Sequence, residues 1–223
     1  MDLSLPSVVT TPVIHGVAAL DTTHLFAVAA ALGWASGLRL YAVVFLTGLA
    51  GRLGWVELPG GLTLLQHPLM LAASGFMLFV EFFADKIPGV DSLWDLVHTL
   101  VRIPAGAALA AAVFGADPTA WTMAAALMGG TLAATSHMAK ATTRAAVNTS
   151  PEPFSNVGMS LLGDAAVPAA LWLSWTHPLL FAMLLAVALV AMVGTIWWLG
   201  RFLRQLATRM TAWRRPPLQR IES

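Results

Sequence analysis

EFFADKIPGVDSLWDLVHTLVR, residues 81–102, is the stretch on which the reading of this chain turns. Asp91, Asp95, His98 and Arg102 fall at relative positions 0, 4, 7 and 11, which places all four on one face of a helix. Pro88–Gly89 mark a turn before that helix. Glu81 and Asp85, four residues apart, end the apolar run that precedes it. The pattern is therefore helix, turn, helix, with a charged stripe facing one way.

The surroundings make that stripe unusual. Of 223 residues, 58% are hydrophobic and only 10% charged, and the mean hydropathy is +0.76. A soluble domain is nearer a quarter charged, and a disordered chain would not carry so much apolar surface. The net charge of +1 gives no basic field for nucleic acid. With no cysteine there is no disulfide framework and no thiolate site. The composition points to an integral membrane protein whose partner is the lipid bilayer.

A membrane helix needs about 20 mostly apolar residues. Six runs meet that length approximately: 25–50, 67–84, 92–115, 119–147, 155–175 and 177–200. None shows the strict alternation of a barrel strand, so the predicted fold class is all-α, a polytopic helix bundle. Residues 1–24 lack the basic start of a secretory leader and are expected to form an N-terminal interfacial segment. Residues 25–200 form the transmembrane domain. Six of the twelve Lys and Arg lie in the last 23 residues, so 201–223 reads as a basic amphipathic cytoplasmic tail. Six crossings would then leave both termini cytoplasmic in a multi-pass protein.

AAAL opens the first span of each three-span half, at 29–32 and 124–127. Two inverted three-helix halves are one arrangement consistent with this. Small residues at Gly129, Gly130, Ala133, Ala134 and across 105–112 permit close helix packing, and would serve a homo-oligomer interface equally well.

A second polar stretch, SHMAKATTRAAVNTSPEPFSN, spans 136–156. His137, Lys140, Arg144 and Asn148 share one helical face at positions 0, 3, 7 and 11. Arg39 stands alone in the first span and Asp164 in the fifth. Pro104 and Pro168 each remove a helical amide, predicting a bend in span three and a break beside Asp164. A charge at mid-bilayer costs about 2.5–3.5 kcal/mol on insertion scales, so so many in a small chain call for partners or a function. Counted together, 81–102, 137–152, Arg39 and Asp164 hold five bases and six acids, close to neutrality.

Three chemistries fit these residues. Arg39, Glu81, Asp85, Asp91, Asp95, His98, Arg102, His137, Lys140, Arg144, Asn148 and Asp164 would line the path of a transporter or channel for an ion or small polar solute, with proton coupling through the carboxylates and His98. Alternatively, Asp91, Asp95 and His98 would hold a divalent metal such as Mg²⁺, Mn²⁺ or Zn²⁺ in an intramembrane enzyme acting on a lipid-linked phosphate, with Lys140 and Arg144 clamping the phosphate. No other cofactor is implied. In the third reading the charges only neutralise one another in a structural or accessory membrane protein.

EFFADKIPGVDSLWDLVHTLVR, the downstream HMAKATTRAAVNTSPEPFSN and SGLRLY at 36–41 together resemble the bacterial membrane-protein family catalogued as domain of unknown function 4126. The resemblance extends over about residues 25–195. It implies a small polytopic inner-membrane protein and carries no activity with it. The family pattern has an acidic pair after SPEPFSN, where this chain reads SLLGD with the single Asp164.

Overall fold

The computed structural model describes residues 21–87, 89–115, 119–149 and 154–213. These form α1 (Thr22–Arg52), a short 3-10 helix (Gly60–Gln66), α2 (Pro68–Ala84), α3 (Val90–Ala112), α4 (Ala120–Val147), α5 (Phe154–Thr176) and α6 (Pro178–Trp213). No strand occurs among the described residues, and the fold is an all-α bundle. Most of the interfacial segment expected at 1–24 lies outside the described residues, but Thr22–His24 already belong to α1. The expected tail is not a separate element as far as Trp213, because α6 runs on through it.

Among the described residues, three helices are by length and composition apolar enough to cross a membrane: α1, α5 over Val157–Thr176 and α6 over Pro178–Arg209. A fourth crossing results if the 3-10 helix and α2, bent by 70°, count as one. The other two of the six expected spans, α3 and α4, are not among these.

Helix α1 is apolar on every side and sits at the centre, packed on all five other α-helices. In its most apolar stretch 78% of residues are buried, against 6% for α6 on the rim. Close approach to α3 and α4 depends on glycine. A Cβ on Gly33 would lie 2.5 Å from the Gly129 Cα, and one on Gly129 would lie 2.3 Å from the Ala110 Cβ. The small residues read from the sequence are thus contact points inside the bundle.

The main departure from the sequence reading is at Arg39, whose backbone (φ −148°, ψ 86°) interrupts α1. The contacts on either side show that the chain doubles back there. Before the break, Phe26 packs on Phe114 and Trp121, Gly33 on Gly106 and Gly129, and Lys140 reaches the Leu38 carbonyl. This half runs from the α3 C-terminus toward the α2–α3 turn. After the break, Phe45 lies on Gly75, Gly48 on Leu65 and Arg52 on the Gln66 carbonyl. The 3-10 helix that receives this half abuts Ala112 through Gly61, back at the α3 C-terminus. Helix α5 agrees: one of its faces meets Trp34 through Ala170 and Leu173, and the opposite face meets Leu46 and Ala50 through Leu171 and Trp175.

Span one is therefore a helical hairpin with Arg39 at its tip. This corrects the expected topology. With α1 returning to its starting end, Asp21 lies at the end of the bundle opposite the α2–α3 turn and Arg201–Arg209, so an even count of crossings no longer places both termini on one side. The predicted break at Asp164–Pro168 is absent. Both α3 and α5 stay helical through Pro104 and Pro168, each losing one hydrogen bond without ending.

Candidate functional site: a buried ion network at the tip of α1

The two charged faces read from the sequence point inward and meet. Asp91, Asp95, His98 and Arg102 on α3 are all 7% exposed or less. Opposite them α4 presents His137, Lys140, Arg144 and Asn148. The C-terminal end of α2 contributes Glu81 and Asp85, the tip of α1 contributes Arg39, and α5 contributes Asp164. Lys86 completes a set of five cations and five carboxylates joined by ion pairs. Glu152, counted in the sequence balance, lies outside the described residues.

Asp85 is the hub. It caps the C-terminus of α2, where the helix dipole disfavours a carboxylate, and three cations offset this. Lys140 Nζ donates to Oδ2 at 2.9 Å, Arg144 Nη1 to Oδ1 at 3.0 Å, and Arg39 Nη1 stands 3.1 Å from Oδ2. Lys140 Nζ also donates to the Leu38 carbonyl at 3.0 Å, one that the break in α1 leaves at the end of a half-helix. The same lysine thus ties the hub to the turn.

Arg102, fully buried, donates to Glu81 Oε1 and Asp95 Oδ1, both at 2.6 Å. Arg39 Nη2 donates to the Ser160 carbonyl at 3.1 Å and its hydroxyl at 2.8 Å, while Nε lies 2.8 Å from Asp164 Oδ1. Lys86 Nζ donates to Asp164 Oδ2 at 3.1 Å and lies over the Phe82 ring. Asp91 is held mainly by amides: Ser92 N donates to it at 2.6 Å, Gly89 N at 2.9 Å and Asn148 Nδ2 at 3.2 Å.

The histidines stand at the edge of the network. His98 stacks on Trp94, donates from Nδ1 to the Trp94 carbonyl at 2.8 Å, and places Nε2 3.2 Å from the Tyr41 hydroxyl. Since a carbonyl only accepts, the neutral ring accepts from Tyr41 at Nε2. Thr99 donates to the Asp95 carbonyl, so its oxygen accepts from His137 Nε2 at 2.7 Å, leaving Nδ1 facing Arg102 Nη1 at 3.4 Å.

These contacts correct the expected metal centre. Among the described residues no three His, Asp or Glu side chains are grouped to hold a metal ion. Asp91 is taken by amides, Asp95 by Arg102 and Lys140, and His98 by Trp94 and Tyr41. The Asp91–Asp95–His98 spacing gives one helical face, but each side chain on it turns to a different neighbour.

Sequence reasoning did not single out Lys86, Ser160, Tyr41 or Thr99 as part of the site. The signal for Ser160 was present, four residues before Asp164 on the same face of α5. Two features remain unbalanced. Arg39 Nε and Nη1, Glu81 Oε2, Asp95 Oδ2 and Arg102 Nε are buried without an aligned hydrogen bond, although carboxylates stand near both Arg39 nitrogens. Beside the hub lies a cavity of about 330 Å³ between α1, α4, α5 and α6, into which Arg39, Asp85, Lys140 and Arg144 face.

No curated protein and no solved structure matches the chain. A family model does, over residues 26–198, which takes in both charged faces, the Arg39 turn and the helices around them. The chain belongs to the family described as domain of unknown function (DUF4126).

Proposed function

We propose that the protein is a polytopic membrane transporter or channel in which the ion network lines the path of an ion or small polar solute. The observation that carries this reading is the break of α1 at Arg39, inside the most buried helix and beside the most charged region. Irregular backbone at membrane depth is tolerated where it is buried in protein or lines a cavity, and discontinuous helices form the binding sites of many transporters. Here both conditions hold at one residue.

The outer surface supports membrane embedding of α3 and α4 as well. Leu93, Leu96, Val97 and Leu100 of α3 and Trp121, Met123 and Leu127 of α4 are exposed, while the charges of both helices turn inward. A lipid-facing exterior with a polar interior is the arrangement a solute path requires. On this reading the protein sits in a bacterial inner membrane, with the α2–α3 turn and the basic end of α6 on the cytoplasmic side.

The test is solute flux into liposomes containing the purified protein, beside Asp85→Asn and Glu81→Gln variants of equal yield. The expected result is flux in the wild type and its loss in Asp85→Asn. A second reading, a structural role, draws on the near-complete pairing of the charges. Absence of flux for every ion and small solute tried, with both variants less abundant, would favour it.

A further inference from the structure

The cavity beside Asp85 has two unlike sides. Its polar side carries Arg39, Lys140 and Arg144 against the one carboxylate of Asp85, with the Ser160 hydroxyl. Its remaining wall is mostly apolar, with Trp34, Leu38, Met159, Leu162 and Met192 beside Thr143 and Thr195. Arg39 is 2% exposed, and its Nε and Nη1, ion-paired to Asp164 and Asp85, make no aligned hydrogen bond. The volume of about 330 Å³ lies within the range of small-molecule sites, roughly 300–1,000 Å³. Three cations at one end and an aromatic–aliphatic wall at the other match a ligand with one anionic group on a small apolar body.

Charge neutrality sets the terms of binding. The groups around Asp85 are Arg39 from α1, Glu81 and Lys86 from α2 and its turn, Asp91 and Asp95 from α3, Lys140 and Arg144 from α4, and Asp164 from α5. With Arg102 and Asp85 itself they sum to zero. A bare anion added to that set would leave an uncompensated charge in a low-dielectric interior, which is strongly disfavoured.

We infer that the cavity binds an organic monoanion, a carboxylate on a small apolar body, together with one proton. The ligand carboxylate replaces that of Asp85 as the partner of Arg39, Lys140 and Arg144, and the Asp85 carboxylate takes the proton from solvent, so the site is neutral before and after. This names the solute class for the transport reading and rests on it only for the passage of the solute, since binding stands by itself.

The experiment is calorimetric titration of the purified protein in nanodiscs with benzoate, in two buffers of different ionisation enthalpy. Benzyl alcohol and benzylamine serve as neutral and cationic controls. The expected result is benzoate binding with uptake of about one proton per ligand, and at least about tenfold weaker binding of both controls. Ala166→Trp, which fills the wall and leaves every charge in place, should abolish binding, whereas Gly158→Ala, where an added Cβ meets nothing within 4 Å, should not. Octanoate, run in parallel, distinguishes a soluble acid from one delivered by the bilayer, and preference for either supports the carboxylate site. Equal binding of benzyl alcohol, undiminished binding in Ala166→Trp, or binding without proton uptake would overturn the inference. Liposome flux of another ion without benzoate binding would sink this inference alone; benzoate binding without any flux would sink the transport reading alone.

Discussion

Arg39 Nε lies 2.8 Å from Asp164 Oδ1, joining the tip of the α1 hairpin to the middle of α5. The same guanidinium reaches Asp85 and Ser160, so one side chain at a backbone break binds three separate parts of the chain. Removing one member of a buried pair leaves the other uncompensated, at about 3–5 kcal/mol. Arg39→Gln is expected to destabilise by that order in thermal unfolding of the detergent-solubilised protein. The Arg39→Gln/Asp164→Asn double variant should recover part of the loss, and additive losses would show that the pair is not coupled.

The hairpin makes a sharp topological prediction. The chain has no cysteine, so single cysteines report accessibility on the natural background. Thr23→Cys and Trp55→Cys, at exposed positions on either end of α1, should be labelled by an impermeant thiol reagent from the same side of the membrane. Arg204→Cys should be labelled from the other. Labelling of Thr23→Cys and Trp55→Cys from opposite sides would mean that α1 crosses as a single span.

Packing of the first half of α1 on α4 depends on a contact with no room for a methyl group. Gly33→Ala places its Cβ 2.5 Å from the Gly129 Cα, a backbone atom that cannot swing away. Overpacking of this kind costs about 1–3 kcal/mol. Gly130→Ala, whose nearest neighbour is the Ala107 Cβ at 3.3 Å, should cost less. Parallel denaturation curves of the two variants test the difference, and equal losses would contradict the packing described.

At the start of α1, Asp21 accepts the His24 amide at 2.8 Å, and this bond, with the one to the His24 ring, holds the carboxyl below its ordinary value of 3.8. A folded value below the unfolded one means that the contribution is complete above pH 3.8 and fades as pH falls through the lower folded value. The stability difference between wild type and Asp21→Ala should therefore be flat from pH 6 down to about 4 and shrink below that. A difference that grows on acidification would reverse the assignment.

Much of the site could be read from spacing alone. Asp91, Asp95, His98 and Arg102 share a face because 3.6 residues make a turn, and the structure turns that face inward. The facing set from His137 to Asn148 obeyed the same rule. What spacing does not encode is which partner each side chain chooses. That is why three residues on one face looked like a metal trio and proved to bind amides, an arginine and a tyrosine. Breaks were harder. Proline marks a missing amide, and Pro104 and Pro168 drew attention for that reason, yet a helix survives one lost bond. The actual break, at Arg39, follows from tertiary contacts. Lys140 caps the Leu38 carbonyl from a helix about a hundred residues downstream, and no local pattern around SGLRLY announces it.

The order of synthesis gives the Arg39 turn one more consequence. Ser160, which receives Arg39 Nη2, lies 121 residues further along the chain, and Asp164 follows it. The ribosome thus releases α1 long before these two of its partners exist. Until α5 follows, Asp85 at the end of α2 is the one carboxylate partner of the Arg39 guanidinium, and an incompletely paired charge makes entry into lipid costly. A chain halted before Ser160 would carry all of α1 through α4, with Arg39 paired to Asp85 but lacking the two partners that α5 supplies.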